Sequence, residues 1–364
     1  MSIEKAVLLL GRRDEPTDGV ADYCEKLREA AAARGFSFEI ASVPWAKMGW
    51  AAALAELRSA AAAWRDRWVF LQYTTLAWSS RGFPLRAPGV LDILRKAGAR
   101  PAVVFHDFRP SRGWGIVGHA RAFCQLRVSQ RVYARSSMAV FTVPVGQIAW
   151  LPPQHDQAVF IPVGSNFPLI DLPTSENEAP SSSIFTVAIF GITGGPRGSE
   201  EVSDIAYALR GLQSKGIRVR LLAIGRGTEV FEKELRQALA GTAIELSMMG
   251  LMPAEDFIRA LAGARVLLVV RGHVSSRRGS AIAAIVCGVP IVGYRGEETG
   301  FPITEAGVRL VDIGDRDGLV QSLAQVLTDE DLYRELRQRS LHAAQKYFSW
   351  DAIASQFIQA MSAR

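Results

Sequence analysis

Cysteine is scarce in this 364-residue sequence, and the three present, Cys24, Cys124 and Cys287, are scattered. Their spacing matches neither a disulfide framework nor a zinc motif. That excludes stapled secreted domains and structural metal sites, and it suits a reducing compartment. Cys24 and Cys287 fall on the apolar faces of predicted helices, where a thiol serves as a small hydrophobe. Long apolar runs are missing too. No stretch approaches the roughly 20 residues that span a bilayer. The apolar run in MSIEKAVLLLGRRD is too short, and too soon followed by charge, for a secretory signal. There is no short repeat, no low-complexity tract beyond Ala-rich helices, and no nucleic-acid-binding motif. The expectation is a cytoplasmic protein without a nucleic-acid partner.

What is present is globular in character, with 49% hydrophobic and 21% charged residues. The chain is longer than one core usually fills, so two domains are expected. A net charge of +6 and a pI near 9.4 favour anionic ligands or a negatively charged membrane surface.

Apolar runs predict strands at Ala6–Leu10, Phe36–Val43, Trp68–Gln72, Ala102–Phe105, Ala139–Val143 and Ala158–Ile161. Between them, helical spacing predicts a helix from Val20 that Gly35 closes, then Trp50–Ala63, Val90–Lys96, Arg121–Arg135 and Gly146–Leu151. Residues 171–183, DLPTSENEAPSSS, are polar, acidic and rich in Pro and Ser, the composition of a linker. The alternation then restarts, with strands at Phe185–Phe190, Val219–Ile224, Ile244–Leu246, Val266–Val270 and Val308–Val311. Helices are predicted at Glu200–Gln213, Glu229–Ala240, Ala254–Ala262, Asp317–Leu327, Glu330–Tyr347 and Trp350–Met361. Repeated β–α alternation means a parallel sheet with helices on both faces. Two such α/β domains, doubly wound and joined by a linker, would face a cleft, a default place for a ligand.

The most informative stretch is VLLVVRGHVSSRRGSAIAAIVCGVPIV, Val266 to Val292. A strand buried on both faces runs into a basic loop carrying Arg271, His273, Arg277 and Arg278, and Gly279 and Ser280 open an apolar helix. In open parallel sheets ligands bind beyond the carboxyl ends of strands, where helix N-termini offer free N–H groups. The loop therefore suits a phosphate or diphosphate, although a solvated basic loop would have the same composition.

Several motifs, in order, resemble the retaining glycosyltransferases of family 4, which have the GT-B fold. VAIFGITGGPRGSEEVSDIAYAL is similar to the first strand, loop and helix of that family's donor domain, and VRLLAIGRGTE to the next strand and glycine turn. MMGLMPAEDFIRALAGARVLLVV resembles the segment G-x-x-P, short helix, A-x-A-D-V, with Arg265 in place of the aspartate. CGVPIVGY and YFSWDAIASQF match the helix-to-strand passage and the closing helix. In the first half, DGVADYCEKL, VVFHD and VFIPVGSN resemble acceptor-domain segments. The resemblance covers essentially the whole chain. It implies two Rossmann-like domains facing a cleft: an acceptor-side domain over 1–170, a linker over 171–183 and a donor domain over 184–348. A C-terminal helix over 349–364 would cross back onto the first domain.

The activity implied is transfer of a sugar from a UDP- or GDP-linked donor to a glycan or lipid-linked acceptor, with retention, in surface polysaccharide or glycoconjugate synthesis. No metal and no other cofactor is implied. A nucleoside diphosphate leaving group gathers negative charge as the glycosidic bond breaks, and without a metal that charge must meet Arg, Lys or backbone N–H groups. Arg197, in GPRGSE, aligns with the family's phosphate-contacting lysine and precedes a predicted helix, with Gly198 beside it. Ile192 stands where an arginine is usual. Typical members carry two glutamates eight positions apart in the basic loop; here alignment on CGVP puts Ser275 and Ala283 there. SSRRGS resembles a variant in which Arg277 or Arg278 would neutralise the diphosphate, capped by Ser280 and the amides of Gly279–Ala281.

His106, at a strand end, aligns with a histidine that positions the donor sugar, with Asp107 beside it. Asp18 and Gly19 stand at a pair of phosphate-approaching glycines; Gly19 can serve, whereas the Asp18 carboxylate would repel an anion. Glu297, Glu298 and Thr299, with Gly300, form a loop where sugar hydroxyls would be read, or one that is merely solvated. Arg127, Arg131 and Arg135 share a helical face, with Arg121 before them and Arg109 and Arg112 in a nearby loop. They suit a lipid-diphosphate acceptor or a peripheral membrane contact, and equally an ordinary solvated face. Trp45, Met48 and Trp50 would add to that contact or pack in the core. Asp315 and Asp317 are read as a helix N-cap rather than a metal site. Two further readings stay open: a GT-B-like binding or scaffold protein without donor turnover, and a GT-B nucleotide-sugar epimerase.

Overall fold

The computed structural model describes residues 5–12, 18–111, 115–165 and 184–364. The expected linker at 171–183 lies outside them, as does Arg112. The chain forms two compact units, Met1–Val163 with Trp350–Arg364, and Gly164–Ser349.

The first unit runs β1 (Lys5–Leu10), α1 (Gly19–Ala33), β2 (Ser37–Ser42), α2 (Trp45–Met48), α3 (Trp50–Ala61), β3 (Trp68–Tyr73), α4 (Ala87–Lys96), β4 (Arg100–Phe105), α5 (Gly115–Arg135), β5 (Met138–Phe141) and β6 (Ala158–Phe160). All six strands are parallel, in the order β2-β1-β3-β4-β5-β6. The strands read as unbroken apolar runs because both sheet faces are covered. In β1, Val7 and Leu9 join the core that includes Trp64 and Leu94. Ala6, Leu8 and Leu10 join the opposite core, with Tyr23 and Leu27. Trp45 and Trp50 stack at 5.0 Å and Trp45 donates its indole N–H to the Ala77 carbonyl, so these rings belong to the core rather than to a surface. The helix expected at Gly146–Leu151 is only a 3-10 turn, Val145–Gln147. Leu151 precedes Pro152, and a residue before proline avoids helical backbone.

The second unit runs β7 (Phe185–Phe190), α6 (Pro196–Ser214), β8 (Val219–Ile224), α7 (Glu232–Ala238), β9 (Glu245–Gly250), α8 (Ala254–Ala262), β10 (Val266–Val269), α9 (Gly279–Val286), β11 (Ile291–Tyr294), β12 (Val308–Val311), α10 (Arg316–Thr328) and α11 (Glu330–Ala343). The helix expected over Glu330–Tyr347 breaks at Ala343 into a π turn, Ala344–Phe348. Its six strands are again parallel, in the order β12-β11-β10-β7-β8-β9. Asp315 caps α10 by accepting from the Gly318 N–H at 2.8 Å, and the Asp317 carboxylate accepts from the Tyr207 hydroxyl.

The final helix, α12 (Trp350–Ser362), returns to the first unit. Ile353, Ala354, Phe357 and Met361 fill the core under α1. Phe357 lies edge-on to Phe70 at 5.5 Å and is fully buried. Burial of that ring is worth about 1.5–3 kcal/mol. Cys24 and Cys287 are both buried.

Candidate functional site

A doubly wound sheet offers its ligand crevice where strand order reverses, beyond the carboxyl ends of the two strands flanking the reversal. In the second unit that point lies between β7 and β10. The loop after β7 and the basic loop after β10 therefore share one crevice. Gly191, just beyond β7, has a φ of 68°, and a Cβ there would come within 2.8 Å of Nη1 of Arg271. The left-handed backbone there favours glycine.

Helix α6 begins at Pro196, earlier than the expected Glu200, because proline at the first helical position is preorganised for it. Arg197 is thus the second residue of the helix rather than part of the preceding loop. It is exposed and, among the described residues, makes no ion pair or hydrogen bond. The buried Glu201 carboxylate accepts from the Thr193 N–H at 2.8 Å and closes the loop. Gly198 is a packing residue: a side chain there would collide with the Phe231 ring and the Thr193 carbonyl. Its N–H donates to Gly195, so it is not available to a phosphate.

Across the crevice, α9 begins at Gly279 with Arg278 as its N-cap residue. Ser280 is the second helical residue, and the first intrahelical bond runs from the Ile282 N–H to the Arg278 carbonyl. Among the described residues, the amides of Gly279, Ser280 and Ala281 donate to nothing. Arg278 is half-buried and its Nε donates to the His273 carbonyl at 2.6 Å. Burial, then the neighbouring Arg271 charge, lower its pKa from the ordinary guanidinium range; Glu298 and Glu201 offset this in part and Arg277 adds to it. A desolvated cation beside another cation, at an open helix N-terminus, is an electrostatic deficit that an anion would relieve.

Arg277 is differently placed. Its guanidinium grips the Glu298 carboxylate, Nε to Oε2 at 3.2 Å and Nη2 to Oε1 at 3.3 Å. Nε2 of His273 lies 4.0 Å from the same group. Of the two arginines proposed for the diphosphate, Arg278 is the one that, among the described residues, makes no ion pair with an acid. Glu298 is buried and occupied by these cations, so it does not face solvent as a sugar reader would. Thr299 uses its hydroxyl to donate to the Val274 carbonyl at 2.6 Å and to accept from the Gly296 N–H at 2.9 Å. Glu297 is exposed. The positions of the missing acidic pair are closed as well: Ser275 is buried and Ala283 is fully buried. Arg265, in place of an aspartate, pairs with Glu330 at 2.6 Å and lies 3.4 Å over the Tyr333 ring.

In the first unit, order reverses between β1 and β3. His106 follows the neighbouring β4. Its Nε2 lies 2.9 Å from Oε1 of Gln72, and the Gln72 amide nitrogen donates to the Phe70 carbonyl. Gln72 Oε1 therefore accepts, and Nε2 of His106 carries the proton. The ring stands edge-on to Tyr23 at 5.0 Å. Gln72 is not among the sequence-predicted site residues, although a lone polar residue within a wholly buried strand is a legible signal. Asp107 braces the loop after β3, accepting from the Thr75 N–H at 3.0 Å. Asp18 caps α1, accepting from the N–H groups of Val20 and Ala21 at 2.9 and 3.2 Å. Gly19 is exposed, and a side chain there would meet no other protein atom within 4 Å. Among the described residues, no group of three or more His, Cys, Asp and Glu side chains converges as a metal site would.

No protein-family model matches the sequence. The Anabaena protein HepE, solved with UDP and glucose, superposes with a TM-score of 0.65 at 15% identity, covering 99% of this chain and all of that one. Sucrose-phosphate synthase from Thermosynechococcus elongatus gives 0.64 at 17% identity, covering 99% and 98%. The fold is GT-B. That fold is shared by more than one chemistry, since a putative UDP-N-acetylglucosamine 2-epimerase from Listeria monocytogenes gives 0.63 at 14% identity over 100% and 96% of the two chains. In sequence, the N-acetyl-alpha-D-glucosaminyl L-malate synthase of Bacillus anthracis is 26% identical over 161 residues. That match spans 43% of this chain and 41% of the relative, well under half of either protein.

Proposed function

We propose that this GT-B chain is a glycosyltransferase that takes a sugar from a UDP- or GDP-linked donor to a glycan or lipid-linked acceptor, with retention and without a metal ion, in surface polysaccharide or glycoconjugate synthesis. The observation that carries the reading is the charge deficit at the β7/β10 crevice. Arg278 and Arg271 crowd one another beside three open amides, Gly279 to Ala281. A diphosphate would satisfy all of them at once. As the glycosidic bond breaks, the charge gathering on the leaving diphosphate is met by these fixed donors, and little reorganisation is needed. Arg197, at the start of α6, adds an exposed cation for the same group. His106, with its proton held on Nε2 by Gln72, is assigned to positioning the donor sugar. Arg277 and Glu298 hold the shape of the loop. The likenesses to sucrose-phosphate synthase and to N-acetyl-alpha-D-glucosaminyl L-malate synthase support the transferase reading.

A second reading, a GT-B protein that binds partners without donor turnover, is favoured by one observation: Ser275 and Ala283 are buried, so the family's usual acidic grip is both absent and closed over. Thermal-shift measurements with UDP, GDP and their sugars separate the two. Stabilisation by a nucleoside diphosphate is expected, and none with any of them would sink the transferase. Donor turnover to an epimerised sugar with no acceptor present would point instead to an epimerase.

A further inference from the structure

Helix α5 is unusual in the first unit. Its 21 residues, GIVGHARAFCQLRVSQRVYAR, contain four arginines and no Asp or Glu. Its solvent face is not simply polar. Ile116 is 89% exposed, Val117 63% and Phe123 59%. Ile116, Ala120, Phe123, Arg127 and Arg131 follow one another at three- and four-residue steps, which places them on a single stripe. The stripe is apolar toward the N-terminal end and basic toward the other.

The arginines divide by partner. Arg135 pairs with Asp92 at 3.1 Å. Arg127 lies 5.1 Å over the Phe123 ring, and among the described residues neither Arg127 nor Arg131 meets an acid. A surface depression of about 390 Å³ is lined by Phe123, Arg127, Gln130, Arg131, Ala134 and Arg135. The loop after β3 is fixed to the flank of the helix: Gln125 donates to the Gly82 carbonyl at 2.9 Å, and the Arg121 guanidinium lies 5.7 Å from the Phe83 ring. That loop presents Leu85, 64% exposed, between the exposed residues Arg81 and Arg86 on the same connection.

We propose that this face of α5, with the Leu85 loop beside it, docks on an anionic lipid bilayer. Exposed apolar side chains next to unpaired arginines, with no acid among them, match what such a surface offers. The acyl boundary takes Ile116, Val117, Phe123 and Leu85, and lipid phosphates neutralise Arg127 and Arg131. A soluble polyanion would use the arginines and leave the apolar residues in water. An apolar protein partner would leave the arginines unneutralised. Arg86 of the Leu85 loop lies 5.7 Å from the Trp50 ring, which itself packs against the core. The inference does not depend on the transferase reading.

The test is co-sedimentation of the full chain with vesicles of phosphatidylcholine alone and of phosphatidylcholine mixed with phosphatidylglycerol. Binding to the mixed vesicles only, weakening as salt rises, is expected. Arg127→Ala with Arg131→Ala should weaken it about 25-fold, from roughly fivefold per basic residue. Ile116→Ser with Phe123→Ser should weaken it about tenfold or more, since each buried methylene contributes. Circular-dichroism melts and the UDP-induced thermal shift should be unchanged in both variants, which keeps this outcome separate from any failure at the nucleotide site. Three results would overturn the proposal: no sedimentation with mixed vesicles, equal sedimentation with neutral ones, or binding that survives the Ile116/Phe123 pair while heparin binding falls with the arginine pair.

Discussion

Both Rossmann-like units carry six parallel strands, in different orders, and they treat the helix N-termini beside their crevices differently. In the first, acids close the ends. Asp18 occupies the N-terminus of α1 and Asp107 braces the loop after β3. In the second, the N-terminus of α9 has no side-chain cap and two arginines crowd beside it. Two parallel sheets thus yield one crevice whose helix N-terminus is capped by its own acid and another whose helix N-terminus is left open to an anion. The proposed anion site falls in the second because of its charge.

The sharpest way to break this contrast is to empty the second crevice of its charge. Arg271→Ala with Arg278→Ala should weaken UDP binding by about 100-fold or more, at roughly 1.5–3 kcal/mol for each lost charge-assisted bond. The unliganded protein should melt at the same temperature or slightly higher, because two like charges have been relieved. Calorimetric titration and a melt read the two halves separately; a retained affinity would place the anion elsewhere. Next in size is Arg277→Ala. Here the expected loss is stability, about 1–3 kcal/mol, because the buried Glu298 carboxylate is left without its main partner. UDP affinity should change far less, and urea unfolding checks the first point. If affinity fell as far as in the Arg271/Arg278 pair, the division of labour between Arg277 and Arg278 would be wrong. Asp18→Ala is the mirror experiment in the first unit. Loss of the α1 cap should cost about 1 kcal/mol and Asp18→Gly only a few tenths, with UDP binding untouched in both.

Much of this was legible in the chain. VLLVV and VAIF announce buried strands, and Gly288 before Pro290 marks the passage into β11, because both faces of each sheet are covered and the punctuation is local. The Asp315 cap was legible for the same reason, since its partner is three residues away. The start of α6 was missed because Pro196 was read as loop. The pairing of Arg277 with Glu298 spans 21 residues and two different loops, and the His106–Gln72 contact spans 34. No spacing rule reaches that far. The basic loop was recognisable as an anion site from its residues, but which arginine was already taken by an acid depended on the fold. So did the exposure of Phe123, which in sequence looks like any helical apolar residue, and that of Ile116, which lies outside the helix expected over Arg121–Arg135.

The smallest effect belongs to the acid that ties the last helix to the first unit. Both oxygens of Asp351 accept from Arg34, at 2.7 Å each, and the hydrogen bonds hold the Asp351 carboxyl below the usual carboxylate range. Because the folded pKa is depressed, the stabilisation is fully present above the unfolded pKa. It is lost as pH falls through the folded pKa, in the acid range below the ordinary carboxylate value. Both side chains are largely exposed, so the gain is screened and small beside the burial of Phe357 and Ile353. Asp351→Asn should therefore leave α12 docked and shift the urea midpoint only slightly at neutral pH. The gap between mutant and parent should narrow further toward pH 3. A large neutral-pH loss, or a gap that widened in acid, would mean that the first unit relies on its exposed acids for more than finishing its helix ends.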